Sequence, residues 1–223
     1  MKSPIKESSL RAQVYETLRT ALKKGRVGSN RTATERELVA QLGVSRTPVR
    51  EALVLLMHEG LVSATSRGFS LPRLSPRDIA ELYEIRRMLE PRALATTIDH
   101  LSAHDFRTLR QHLREQEAAD AAKDVEAFVE ANSNFRAVWL RAVPNSQLRT
   151  LIERHDDHVR WLRQVTLHDA KVRKKVLSRL RDILAALQSG RAAAVSAAML
   201  AHLEAAEEAL TAALNDTRHD DAA

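Results

Sequence analysis

The chain of 223 residues contains no cysteine, six glycines, six prolines and few aromatic residues: two Trp, two Tyr and four Phe. Without cysteine the protein has no disulfides, no thiolate metal ligands and no cysteine nucleophile. No apolar run approaches the roughly 18 residues that a membrane span needs, and Met1–Ser9 lacks the apolar core of a signal peptide. We therefore expect a soluble, cytoplasmic protein. The abundance of Ala, Leu, Arg and Glu predicts a mainly α-helical fold.

Positive charge is concentrated in the first third of the chain. Residues 1–74 hold 13 Lys and Arg against six Asp and Glu, a formal charge of +7, whereas the whole chain carries +6. This asymmetry favours a polyanionic partner, DNA or RNA, for the N-terminal part. A basic surface without a specific partner is the alternative on charge alone.

The N-terminal 74 residues predict three helices followed by two short strands. An apolar residue recurs every fourth position from Leu10 to Leu22, which is typical of one helix face. Thr34 is a candidate N-cap, and Pro48 suits the first turn of the third helix. We predict helices over 9–24 and 34–42 and, after a turn over 43–45, from Arg46 to before Gly60, a loop over 25–33, and strands over 61–65 and 69–71.

The remaining chain has helical patterns and no strand signal. We predict six helices, at about 76–99, 103–121, 123–142, 145–166, 170–188 and 191–214. The predicted domains are therefore 1–74, an all-helical domain over 75–215, and a flexible polar tail over 216–223.

A helix, a glycine turn, a second helix and a hairpin together predict a winged helix-turn-helix with a small β-hairpin wing. In this motif the second helix enters the major groove with its N-terminal residues at the base edges. Arginine there can bind guanine bidentately, hydroxyls can reach phosphates or bases, and the wing reaches the minor groove. The candidate DNA-binding residues are Ser45, Arg46, Thr47 and Arg50 on the helix and Arg67 and Gly68 on the wing. Winged helices also mediate protein contacts, which is the alternative.

The run ERELVAQLGVSRTPVREALVLLMHEGLV, residues 35–62, resembles the N-terminal domain of the GntR superfamily of bacterial regulators. The resemblance implies that Arg36, Arg46 and Arg50 contact DNA and that Gly68 is the wing glycine. The chain departs from the family at Ala33, where a leucine is usual, and at 29–30, where Ser-Asn replaces Pro-Gly.

The segments DIAELYEIRRMLEPRALA (78–95) and ILAALQSGRAAAVSAAMLAHLEAA (183–206) resemble the FadR-type C-terminal (FCD) domain of these regulators, in its VanR-like branch. The resemblance implies a six-helix bundle that forms a homodimer and binds a small effector, often a carboxylate. Many members also hold a divalent metal with one Asp and three His.

The four metal-ligand positions align with Asn132, Arg136, Leu180 and His202, so only one ligand is retained. We therefore expect no metal and no other cofactor. Instead, Arg136 could pair with an effector carboxylate, with Arg86 as its companion and with hydrogen bonds from Asn132 and His202. The alternative is a degenerate pocket in which Arg136 faces solvent or pairs with a glutamate. A metal at His155 and His158, with two aspartates between them, stays open.

The sequence thus predicts a dimeric repressor that binds a palindromic double-stranded DNA operator and is released by a small organic acid. A DNA-binding regulator without a small-molecule effector is the alternative. We find no nucleophile–base arrangement, no phosphate-binding glycine loop and no paired acids in an apolar setting, so we do not expect an enzyme.

Overall fold

The chain forms two compact units, Met1–Arg73 and Leu74–Ala223. A computed structural model describes residues 10–23, 32–59, 61–65, 68–70, 75–154, 159, 162–163 and 166–220. Within those residues no helix is long and apolar enough to cross a membrane.

The N-terminal unit is built on three helices: α1 (Leu10–Lys23), α2 (Glu35–Leu42) and α3 (Arg46–His58). The start of α2 is fixed by a capping box, in which Thr34 accepts from the Glu37 amide and Glu37 accepts from the Thr34 amide. Gly43 ends α2 in the left-handed conformation, at φ 65°. The capping box and Gly43 fix the two ends of α2 and so set the short turn between α2 and α3.

The core of this unit lies between the helices and contains Val14, Leu18, Leu38, Val49, Leu53 and Leu56. Leu10 was predicted to continue the apolar stripe of α1, but it is 50% exposed. It is the first residue of the helix, beyond the reach of the core. Leu22, the other end of the predicted stripe, has a side chain outside the described residues.

A three-stranded antiparallel sheet of β1 (Thr32–Ala33), β2 (Ser63–Thr65) and β3 (Gly68–Ser70) completes the unit, in the order β1-β3-β2. The prediction of a loop over 25–33 was wrong at Thr32 and Ala33, because two residues are too few to reveal a strand period. Strand β2 begins two residues later than predicted and β3 one residue earlier. Ala33 is buried in the core, so the small residue at this family leucine position still packs.

The C-terminal unit is all-helical in its described residues. Its helices are α4 (Pro76–Ala95), α5 (Ala103–Ala122), α6 (Val125–Arg141), α7 (Ser146–Glu153), α8 (Ala170–Gln188) and α9 (Ala192–Asp220). Helix α5 packs along α6, and α9 packs along both α4 and α8. The core between them includes Phe128, Phe135 and Trp139 from α6.

Three predicted helix ends differ from the structure. Helix α4 stops at Ala95 rather than 99, where Thr97 turns back to donate a hydrogen bond to the Leu94 carbonyl. The helix predicted over 145–166 ends at Glu153, and the described residues after it up to Thr166 are again helical. The predicted flexible tail is helical as far as Asp220, since extending an existing helix needs no new nucleus.

Two glycines with positive φ differ in their surroundings and so permit a matched test. A Cβ at Gly68, φ 135°, would lie 2.6 Å from the Ala33 carbonyl oxygen, whereas a Cβ at Gly43 would meet nothing within 4 Å. We expect Gly43→Ala to lower the free energy of unfolding by about 1–2 kcal/mol through backbone strain alone. Gly68→Ala should cost about 2–4 kcal/mol because the clash with β1 adds to the strain. Urea denaturation of both variants checks the order, and equal losses would contradict the close packing of the wing on β1.

Candidate functional site

The N-terminal end of α3 presents a polar, exposed face. Ser45 is the N-cap, but its side chain accepts no capping hydrogen bond from the helix, and Arg46, Thr47 and Arg50 are exposed. These side chains are held by the buried residues between them, Pro48 and Val49, which anchor the first turn in the core. The start of α3 is therefore rigid while its polar groups face outward.

A groove runs along this face of α3 and is shared with α1 and the start of α2. Its lining residues are Arg11, Glu35, Arg46, Thr47, Arg50, Glu51, Val54 and Leu55. Three arginines outnumber two glutamates, so the groove is electropositive. Fixed guanidinium groups on an exposed helix end are the groups that bind guanine edges and phosphates.

Three further residues were predicted to bind DNA, namely Arg36, Arg67 and Gly68. Arg36 is exposed on α2, the helix that precedes the turn. Gly68 begins β3 at the wing, where its lack of a side chain also lets β3 approach Ala33. Arg67 lies outside the described residues.

The C-terminal unit contains a small cavity of about 30 Å³, far below the roughly 300 Å³ or more of a typical small-molecule site. Its polar lining residues are Tyr83, Arg86, Asn132, Arg163, Thr166 and His202, and its apolar ones are Val159, Leu162, Leu167, Val172, Val176 and Ala206. Three of the four predicted effector-binding residues therefore line one cavity. Arg136, the fourth, is not among its lining residues.

Arg136 instead belongs to a buried ion triad with Arg86 and Glu90. Arg136 donates from Nη1 to Glu90 Oε2 at 2.6 Å and from Nη2 to Oε1 at 3.2 Å, and Arg86 Nε donates to Oε1 at 2.8 Å. Glu90 is 2% exposed. The two guanidinium groups also lie near aromatic rings, Arg86 at 4.7 Å from the Tyr83 centroid and Arg136 at 5.1 Å from that of Trp139. The triad carries a formal charge of +1.

Burial and the charges of the triad together set the ionisation of Glu90 and His202. Burial alone raises the pKa of the Glu90 carboxyl, but Arg136 and Arg86 outweigh it and hold that pKa far below its usual range. Burial and the nearby Arg86 charge lower the pKa of His202 from 6.5 to about 3. Glu90 is therefore ionised and His202 neutral at physiological pH.

The His202 side chain has a hydrogen-bonding atom without a partner among the described residues. Its Nδ1 atom is buried and has no hydrogen-bond partner among the described residues. Asn132, in contrast, donates from Nδ2 to Gln116 Oε1 at 3.1 Å. A buried nitrogen without a hydrogen bond costs free energy unless a ligand or an ordered water forms that bond.

The residues at the family metal positions do not fit a divalent cation. Leu180 is buried in the hydrophobic core, and the guanidinium of Arg136 cannot ligate a metal. Both oxygens of the nearby Glu90 carboxylate already accept from arginines. No group of three or more His, Asp or Glu that could hold a metal occurs in the described parts of the chain. His155 and His158, where a second metal site was left open, lie outside those parts.

Sequence reasoning missed Glu90 and Tyr83. The pair Arg86 and Glu90 has the i,i+4 spacing of a helical ion pair, which is a signal that could have been read. The contact between Glu90 and Arg136 spans 46 residues and has no local signature. The structure thus contains the glutamate pairing that the sequence left open for Arg136.

The triad predicts unequal effects of removing its members. We expect Glu90→Gln to lower the free energy of unfolding by about 3–5 kcal/mol, because two buried arginines lose their counter-charge. Arg136→Met leaves the balanced pair of Arg86 and Glu90 and should cost less than about 3 kcal/mol. Urea denaturation at neutral pH compares the two.

The pH dependence gives a second readout of the same variants. Because the pKa of Glu90 is lower in the folded chain, its contribution to stability is present above the unfolded value of 4.5 and is lost as the pH falls. The stability gap between the parent chain and Glu90→Gln should therefore shrink below about pH 4.5. Equal costs for the two variants at pH 7, or a gap unaffected by acid, would contradict the triad.

The two units match two protein-family models. Residues 10–69 match the bacterial regulatory proteins of the gntR family, and residues 81–205 match the FCD domain. The chain is 29% identical over 193 residues to the HTH-type transcriptional regulator YdhC of Bacillus subtilis, covering 85% of this chain and 86% of YdhC. It is 26% identical over 200 residues to the HTH-type transcriptional repressor RspR of Escherichia coli, covering 89% of this chain and 87% of RspR.

The solved structure of Escherichia coli McbR/YncC has the same fold, with a TM-score of 0.74 at 25% identity over 94% of this chain and 99% of that one. The matched domains and the named relatives are those of DNA-binding transcriptional regulators and not of enzymes. The chain belongs to the GntR family of bacterial regulatory proteins and carries the winged helix-turn-helix and the FCD domain of its FadR-type members.

Proposed function

We propose that this regulator is a dimeric repressor that leaves a palindromic operator when a small carboxylate binds in the cavity of the C-terminal unit. The effector half of this proposal, that a carboxylate binds in the cavity, rests on one observation. His202 Nδ1 is buried without a hydrogen-bond partner among the described residues, and His202 lines the cavity together with Arg86. The word repressor in the name of RspR supports the direction of control.

In the DNA-bound state, Arg46 and Arg50 bind base edges and the other candidates position the domain. Two arginines one helical turn apart on an exposed helix start suit two nearby guanines. Ser45, Thr47 and Arg36 bind phosphates, and the wing residues Arg67 and Gly68 reach the minor groove.

A second copy of the chain packs on the surface formed by α4 and α9. These helices lie side by side, and Ile85, Met88 and Leu200 are exposed on them, Met88 at 65%. Ile85 and Met88 are three residues apart and so share one face of α4, and exposed apolar side chains on one face favour a protein partner. A two-fold dimer presents two recognition helices and therefore requires two symmetric half-sites.

The proposed binding of bases by Arg46 is tested with an operator that the purified protein selects from a random DNA pool. Arg46→Ala should weaken binding to that operator by about 1–3 kcal/mol while changing the affinity for unrelated DNA much less. Arg107→Ala, which removes an exposed arginine from α5, is the charge-matched control and should leave both affinities unchanged. Equal losses on both DNAs would mean that Arg46 only contacts phosphate.

In the effector half, Arg86 binds the anion and His202 supplies a hydrogen bond from its neutral imidazole. The surplus positive charge of the triad favours a ligand with one negative charge, and the apolar lining suits the rest of a small molecule. Arg136 acts through Glu90, which it holds against Arg86. The site uses no metal, because the surplus guanidinium charge supplies the attraction.

A second candidate function is DNA-binding control without a small-molecule effector. Two observations favour it: Glu90 already neutralises one arginine of the triad, and the cavity of about 30 Å³ must expand before it admits an organic acid. In that case an ordered water forms the hydrogen bond with His202 Nδ1. DNA binding is then controlled by the abundance of the protein or by a partner.

Thermal unfolding with a panel of small organic acids, each beside its uncharged amide, separates the two candidates. A ligand at ten times its Kd should raise Tm by about 3–6 °C, and the amide should not. The same acid should weaken operator binding. Arg86→Met should abolish the shift, while Arg107→Met on α5 should keep it. If no acid raises Tm, the effector half is overturned and the second candidate stands.

A further inference from the structure

The groove beside α3 contains two large apolar side chains that the DNA-binding motif does not explain. Val54 is 51% exposed and Leu55 is 40% exposed, and both line the groove with Arg46 and Arg50. Val54 follows Thr47 by seven residues and Arg50 by four, which places the three on one stripe of the helix.

The fold does not require these side chains. The inward face of α3 is already filled by Val49, Ala52, Leu53 and Leu56, which are all buried. About half of each side chain is still exposed, so an occupant of the groove can bury further apolar area and gain free energy from it. That occupant must also satisfy the neighbouring guanidinium groups.

The major groove of DNA offers both kinds of group at once. Guanine O6 and N7 accept from arginine, and the C5-methyl of thymine provides an apolar surface in the same groove. A protein occupant would have to bury Arg46 and Arg50 or supply several carboxylates in addition to the two glutamates already there. The electropositive lining therefore favours DNA over a protein partner.

We propose that Val54 contacts the C5-methyl of a thymine in the operator and so specifies a T·A pair beside the bases bound by the arginines. Val54 lies eight residues beyond Arg46, about 12 Å along the helix axis, or roughly three base-pair steps. Leu55 flanks this contact and excludes water from it. This inference rests on the proposed reading of the operator by α3.

Deoxyuridine provides a direct test, because it pairs like thymidine and lacks only the methyl group. Each thymine of the selected operator is replaced in turn, and Kd is measured by fluorescence anisotropy with the full-length protein. At one position in each half-site the replacement should weaken binding about fourfold, the effect of exposing one buried methyl group. Val54→Ala should bind the thymine and the uracil operators equally well.

The variants separate this contact from other effects. Val54→Ala removes no core atom and improves helix propensity, so its Tm should be no lower than that of the parent chain. Val54→Thr keeps one methyl group and should retain part of the uracil penalty. Leu151→Ala removes an apolar side chain of similar exposure, 46%, from α7 and should retain all of it.

Three results would overturn the inference. The first is an operator in which no thymine is sensitive to loss of its methyl group. The second is a Val54→Ala protein that keeps the full uracil penalty. The third is a Val54→Ala protein that binds all DNA more weakly and sediments as a smaller species, which would assign the patch to a protein interface. If Arg46→Ala also discriminates normally between operator and unrelated DNA, the proposed base reading fails separately.

Discussion

The C-terminal unit depends on the neutralisation of two buried guanidinium groups by one carboxylate. Arg86 and Arg136 are almost fully buried, and a lone buried cation costs several kcal/mol. Glu90 meets both with its two oxygens and so ties α4 to α6 at the centre of the bundle. Because one positive charge remains, the same interaction that holds the helices together also leaves an attraction for an anion. The neighbouring imidazole of His202 stays neutral in this field, since a further cation would raise the cost.

The sequence predicted the elements whose ends are marked by local chemistry. Thr34, Gly43 and Pro48 located α2 and the start of α3, and the structure has both within about a residue. The resemblance to GntR regulators through residues 35–62 identified the family correctly. Strand β1 escaped prediction because its only evidence is pairing with β3, a contact between residues far apart in the chain.

The candidate site was predictable in its residues but not in their pairing. Arg86, Asn132 and His202 were identified from their positions in the family pattern, and all three line one cavity. Arg136 was identified in the same way, yet its contacts depend on Glu90, which only the packing of α4 against α6 brings near it. Charge, burial and volume of a cavity are properties of the assembled bundle, so no local pattern of residues could have given them.

The pairing of β1 with β3 links two parts of the N-terminal unit that are more than 30 residues apart. Ala33 pairs with Phe69, and the next residue after Ala33, Thr34, caps α2. The pairing of β3 with β1 therefore connects the wing directly to the start of α2, the helix that carries Arg36, in addition to its connection to α3. A displacement of β3 would therefore be transmitted through β1 to the start of α2. The positions of Arg36 and of the wing are thereby coupled through backbone hydrogen bonds between strands rather than through side chains.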